Sequence, residues 1–222
     1  DSYTLTMIGR AFEAKGDRAA AAQMLDRAAS PQLRPSQALV TVPLDKAAAD
    51  NAANPLDART AIPLIAAQIG AGQAGAALGR ALEIERRNPG VPAAHILAGD
   101  VQGTLGNWQA AAAAYKKAAN LDFSEATALR FARALANVGD GQGAASVIGL
   151  YLSQNPQSIP VRRLHADLHM ASGRWQSAIA EFEIIRARTG NRDAALLNNL
   201  AWASINAGEA AQALRYARAA YG

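Results

Sequence analysis

Residues 93–122, AAHILAGDVQGTLGNWQAAAAAYKKAANLD, hold two helical patterns with a break between them. Ile96, Leu97, Val101 and Leu105 recur at helical spacing as far as Gly106-Asn107. Ala111, Ala112, Tyr115 and Ala118 then restart the pattern. The spacing predicts helices over 93–104 and 108–120. A glycine in the break supplies the left-handed backbone that ends a helix. Asn107 beside it is placed to accept from the free N–H groups of the helix that follows, and Asp17 and Asp140 stand in the same place after their own glycines.

The hairpin is copied along the chain. Gly16, Gly72, Gly106, Gly139, Gly173 and Gly208 mark the breaks, the last five lying 34, 33, 34 and 35 residues apart. Five residues after each stands an alanine: Ala21, Ala77, Ala111, Ala144, Ala178 and Ala213. A period near 34 with a fixed small-residue offset marks a stacked helix–turn–helix array. The alanine belongs where the paired helices approach most closely, so a larger side chain there should cost about 1–3 kcal/mol. Asn54-Pro55, Asn88-Pro89 and Asn155-Pro156 keep the same period between hairpins. Proline stops one helix and suits the first turn of the next.

The fold expected is therefore all-α, a solenoid of about six stacked hairpins forming one array over residues 1–222. Its repeats run over 2–33, 58–89, 92–123, 125–156, 159–190 and 194–222, with a half-repeat over 34–55. The array is irregular between residues 34 and 58, where Pro35 and Pro43 precede an alanine-rich run, Leu44 to Asn54. That run reads as the second helix of a repeat whose first helix is shortened. Pro63 falls early in the next helix, which is expected to begin at Thr60 or to kink. The chain starts directly at a repeat and stops where another turn is due, as a segment of a longer protein would.

Composition narrows the function classes. Half of the 222 residues are hydrophobic but only 5% are aromatic, so the helices must pack closely over small side chains. No run of 18 apolar residues exists, which excludes a helical membrane span. The net charge of +4 comes from scattered groups such as Glu83, Glu85, Arg86 and Arg87. That pattern is a solvated face and weighs against nucleic acid as partner. Zero cysteines exclude disulfides and thiol chemistry. His165 and His169 stand one helical turn apart, as zinc ligands do, but lack the glutamate of a metalloprotease helix. The repeat places them where Phe131, Leu135 and Leu200 stand elsewhere, so they are read as packing residues, as is the lone His95. Gly139-Asp-Gly-Gln-Gly143 sits at a turn between helices, without the strand that a dinucleotide site needs. Glu181 and Glu183 are expected on outer faces. No catalytic residue, cofactor or metal is expected, and the chain does not read as an enzyme.

These residues resemble the tetratricopeptide repeat. Seven before the turn glycine, where that repeat asks for a small residue, stand Gly9, Ile65, Gly99, Ala132, Ala166 and Ala201. Nine after it, where a large apolar residue is usual, stand Leu25, Tyr115, Ile148 and Phe182, with Ala81 and Ala217 as exceptions. Twelve after it, alanine is matched by Ala28, Ala118 and Ala220 and replaced by Ile84, Tyr151 and Ile185. The resemblance implies a right-handed superhelix whose first helices line a concave side. It places Asp100, Arg130, Arg133, Arg163, Asp167, Asn198, Asn199 and Trp202 there, as a polar groove for a peptide or protein partner. The arginines would pair carboxylates and Trp202 would serve as anchor. The groove has no lysine, unlike the repeats that bind chaperone C-termini.

Residues 196–221 are most like the late repeats of bacterial tetratricopeptide lipoproteins that accompany PEP-CTERM sorting and exopolysaccharide export. This likeness implies a scaffold in the bacterial cell envelope or periplasm rather than the cytoplasm. Self-association through bare solenoid ends is a further expectation. Two other readings stay open: an RNA-binding helical repeat, and the regulatory arm of a larger enzyme.

Overall fold

The computed structural model describes Ala11 and residues 42–221 apart from Asn54 and Leu56. The repeat expected over 2–33, with Gly9, Gly16, Asp17, Ala21, Leu25 and Ala28, lies outside the described residues, as does Pro35. From residue 42 onward there are eleven helices and no strand among the described residues: α1 (Leu44–Ala52), α2 (Ala58–Gly70), α3 (Ala74–Arg87), α4 (Pro92–Thr104), α5 (Trp108–Leu121), α6 (Glu125–Val138), α7 (Gly141–Gln154), α8 (Ile159–Ala171), α9 (Trp175–Thr189), α10 (Ala194–Asn206) and α11 (Ala210–Tyr221). The fold class is the α-solenoid of helical repeats that the 34-residue period demands.

The described residues fall into two compact units that divide inside α7, after Ala144. In the first, α1 packs on α2, α2 on α3, α3 on α4, α4 on α5 and α5 on α6. In the second, α8 packs on α9, α9 on α10 and α10 on α11. Within each, neighbours in sequence are neighbours in space.

Each hairpin turn is built the same way. Gly72, Gly106, Gly139, Gly173 and Gly208 all have positive φ, between 68° and 91°. The residue after each glycine then donates its backbone N–H to the carbonyl five residues back. These bonds are Gln73 to Gln68, Asn107 to Gln102, Asp140 to Leu135, Arg174 to His169 and Glu209 to Ser204, each 2.8 or 2.9 Å. This is the backbone closure that a left-handed C-terminal residue permits. The periodic alanine donates in turn to the carbonyl of that same residue, as Ala111 does to Asn107 and Ala178 to Arg174. Ala77, Ala111, Ala144 and Ala178 have no exposed surface, and Ala213 is buried. The clock read from side chains is thus a clock of backbone bonds.

Three local expectations are corrected. Asn107 does not cap α5 with its side chain; its amide donates to Gln102 Oε1 at 3.0 Å. Gln102 is buried, and its carboxamide needs a partner more than the exposed first turn of α5 does. Asp140 does cap, its Oδ1 accepting from Gly143 N at 2.7 Å. Helix α2 begins at Ala58 rather than Thr60, because Asp57 Oδ1 accepts from Arg59 N at 2.9 Å. Pro63 lies inside that helix, and the carbonyl it cannot satisfy belongs to the exposed Arg59. Pro89 and Pro156 lie in the links, outside the next helix, while Pro92 and Pro160 occupy first turns. The asparagines before the link prolines use their side chains on the helix just ended: Asn88 Nδ2 donates to Ile84 O at 2.8 Å and Asn155 Nδ2 to Tyr151 O at 3.3 Å.

Within the run read over 44–54, Leu44–Ala52 is a helix, as expected, and its buried Asn51 amide ties α1 to α2 and α3. Asn51 donates to Thr60 Oγ1 at 2.9 Å and accepts from Arg80 Nη1 at 2.6 Å.

Candidate binding surface

The first helix of each hairpin carries the residues singled out for partner binding, and the two units hold them differently. In the first unit, Asp100 on α4 accepts from Tyr115 Oη at 2.7 Å and from Arg130 Nε of α6 at 2.9 Å. Arg130 also reaches Ala126 O at 3.3 Å. Burial pushes the Tyr115 hydroxyl well above its ordinary range, and the Asp100 carboxylate adds to the effect. Arg133, one turn further along α6, is exposed.

In the second unit, Arg163 on α8 donates to Asp193 Oδ2 at 2.6 Å, with both side chains largely buried. Asp193 is itself the N-cap of α10, its Oδ1 accepting from Leu196 N at 2.9 Å. Asp167 is exposed on the same helix as Arg163. On α10, Asn198 is exposed, Asn199 is half-buried, and Trp202 is 59% exposed. Ile205 and Asn206 are exposed one turn beyond. Asn198, Trp202 and Ile205 therefore form one outward stripe at helical spacing.

Two of the three candidate arginines are accordingly already paired with carboxylates of the chain. Asp193, which fixes Arg163, was missed. The signal was present: Asp100 and Arg130, and Arg163 and Asp193, are opposite charges 30 residues apart. That separation, just under one period, brings neighbouring first helices into reach.

Glu181 and Glu183 are not on outer faces. Glu181 of α9 accepts from Arg162 Nη1 and His165 Nδ1, the latter at 3.0 Å, and its side chain is only 16% exposed. Burial alone would raise its carboxyl, but these two bonds outweigh it and hold the group below the usual carboxylate range. Glu183 accepts from Arg186 and from the Tyr216 hydroxyl of α11. A repeat with apolar residues opposite these positions would leave the carboxylates to solvent. Here Arg162, His165 and Tyr216 draw them inward. His95 behaves as a packing residue with satisfied nitrogens, Nδ1 on Glu85 at 2.8 Å and Nε2 on Pro89 O at 2.9 Å.

No family model matches the chain, and no curated protein matches it in sequence. Solved structures match its fold. MamA from Desulfovibrio magneticus RS-1 superposes with a TM-score of 0.61 at 13% identity, covering 73% of this chain and 92% of that one. YrrB, a TPR protein with an unusual peptide-binding site, gives 0.58 at 14% identity over 80% and 91% of the two chains. TTC0263, a TPR protein of Thermus thermophilus, gives 0.54 at 18% identity over 92% and 100%. The fold is that of the tetratricopeptide repeat. None of the described helices is long and apolar enough to cross a membrane.

Proposed function

We propose that this chain is a non-enzymatic protein–protein interaction scaffold that holds a peptide or protein segment against the first helices of its repeats. The observation that carries the reading is the α10 stripe, where Trp202 stands 59% exposed between Asn198 and Ile205. Aromatics make up 5% of the chain, and a helix that buries Leu196, Leu197 and Leu200 has no packing reason to leave its tryptophan outside. An exposed aromatic ringed by amide side chains offers apolar area and hydrogen bonds to an extended backbone. YrrB, which shares the fold, has a peptide-binding site. Asp100 and Arg130 in the first unit, and Arg163 and Asp193 in the second, brace neighbouring first helices instead of facing a partner. The likeness of residues 196–221 to the PEP-CTERM-associated lipoproteins supports a place in the bacterial cell envelope.

The test is selection of a displayed random-peptide library on the immobilised chain, followed by affinity measurement on the enriched sequences. Trp202→Ala should weaken them at least thirtyfold, about 2 kcal/mol, with the unfolding temperature unchanged. Enriched peptides that bind Trp202→Ala and Asn198→Ala as well as the parent would overturn the assignment.

A further inference from the structure

His165 and His169 are one turn apart on α8, and Glu181 faces them from α9. His165 Nδ1 lies 3.0 Å from Glu181 Oε1, and the two imidazole rings lie with centroids 4.3 Å apart, tilted by 41°. One ligand atom from each of the three residues falls within 4.8 Å of the others. His169 Nδ1 is buried and has no hydrogen-bond partner. The His165 position holds Ile8, Leu64, Ala98, Phe131 and Leu200 in the other repeats, so an imidazole there departs from an apolar pattern, whereas the His169 position holds Phe12 and Leu135 but also Gln68, Gln102 and Ser204. The orphaned nitrogen of His169 stands beside the carboxylate-bound imidazole of His165, and an unsatisfied buried polar group costs stability unless something binds it.

We propose that His165, His169 and Glu181 form a binding site for a divalent cation of the zinc class. Two neutral imidazoles and a carboxylate are the donor set that zinc accepts. Such ligands lie about 2.0–2.2 Å from the ion, which puts tetrahedral donor atoms about 3.3–3.5 Å apart. Binding would draw the three ligand atoms, now within 4.8 Å of one another, in to that spacing. Three protein ligands leave a fourth position open, for water or for a side chain of a bound partner. Arg162 keeps Glu181 Oε2 and orients the carboxylate from outside the ligand set. As a cation, with Arg174 also near His169, it opposes the metal, so the site is weaker than a closed structural zinc centre.

The experiment is calorimetric titration of Zn²⁺ into the full chelator-stripped chain at neutral pH, with Co²⁺ as a spectroscopic probe. One equivalent of zinc per chain is expected, with a rise in unfolding temperature. Bound Co²⁺ should show the intense visible bands of low coordination. His165→Ala, His169→Ala and Glu181→Gln should each weaken binding at least a hundredfold, more than loss of an outer partner does. His95→Gln, at the only other histidine, should leave it unchanged. Octahedral, aquo-like Co²⁺ on the parent chain overturns the site without reference to any variant. Zinc affinity undiminished in Glu181→Gln does so as well, because it reduces the site to a surface histidine pair.

Discussion

Residues 42–144 and residues 145–221 repeat one hairpin but bury different things in it. In the first unit, the positions with no exposed surface are nearly all alanine: Ala61, Ala77, Ala81, Ala98, Ala111, Ala118, Ala128, Ala132, Ala134 and Ala144. In the second they include Ile148, Ile159, Val161, Phe182, Ile185, Leu196 and Leu200. Among the described residues, the large apolar side chains that are completely buried all belong to the second unit. The first therefore leans more on close backbone approach over small side chains, although Leu64, Ile65, Ile84, Val101 and Tyr115 there are only 3–5% exposed. The second leans more on removing large apolar groups from water, at about 25 cal/mol per Å². The same period admits both, because the turn is set by glycine and backbone bonds rather than by core volume.

This contrast sets two opposite vulnerabilities. The greatest expected effect is a cavity in the second unit. Phe182→Ala removes a ring with no exposed surface, packed in the cluster with Ile159, Ile185, Leu196 and Leu200. It should cost about 3–5 kcal/mol in denaturant unfolding. A loss below about 1 kcal/mol would mean that the cluster collapses around the gap and that the two cores are not different in kind.

Overfilling should harm the first unit. A Cβ on Gly99 would stand 2.5 Å from the Tyr115 ring, which is buried and tied by its hydroxyl to Asp100. Gly99→Val should destabilise by about 1–3 kcal/mol although it adds apolar surface. Removing the ring's tether with Asp100→Ala in the same background should recover part of the loss. No recovery would show that the backbone, not the tyrosine, sets the limit.

The ion pairs between first helices sharpen the comparison at smaller cost. Asp193 is a helix cap and a partner of Arg163, with 15% of its side chain exposed; Asp100 and Arg130 are 43% and 38% exposed. Asp193→Ala should cost about 1–2 kcal/mol, since it uncaps α10 and strands a guanidinium. Arg130→Ala should cost about 0.2–1 kcal/mol, the range of a solvent-screened pair. Equal costs would put the stability in the shared 30-residue geometry rather than in burial.

How much of this was legible follows from what each signal depends on. Gly106 and Ala111 report local backbone geometry, which a residue type states directly, so the turns and hairpin contacts could be read. The helix that starts at Leu44 was readable for the same reason. Glu181 was not, because its direction is decided by Arg162 and His165 on the facing helix, 19 and 16 residues away. The binding surface lies between these cases. The resemblance to the tetratricopeptide repeat put Asn198 and Trp202 on one face, but whether Arg163 was free depended on Asp193, a residue of the next repeat.

The smallest effect expected is a pH dependence in the first unit. Glu85 on α3 is largely buried, which by itself would raise its carboxyl. Hydrogen bonds from His95 of α4 and Lys117 of α5 outweigh that and hold the group below the usual carboxylate range. A carboxyl whose folded pKa is depressed contributes stability above its unfolded pKa, and the contribution disappears as pH falls through the folded value. Glu85→Gln should therefore unfold at a lower temperature than the parent chain at neutral pH, by an amount equivalent to about 1 kcal/mol or less, since Lys117 is solvent-exposed. The gap should close as the solution is acidified below the usual carboxylate range. The matching Glu183→Gln in the second unit should trace the same curve, because Arg186 and Tyr216 depress that carboxyl in the same sense. A gap that is constant with pH would assign the cost of either variant to lost packing, and a gap that widens on acidification would reverse the sign of the linkage.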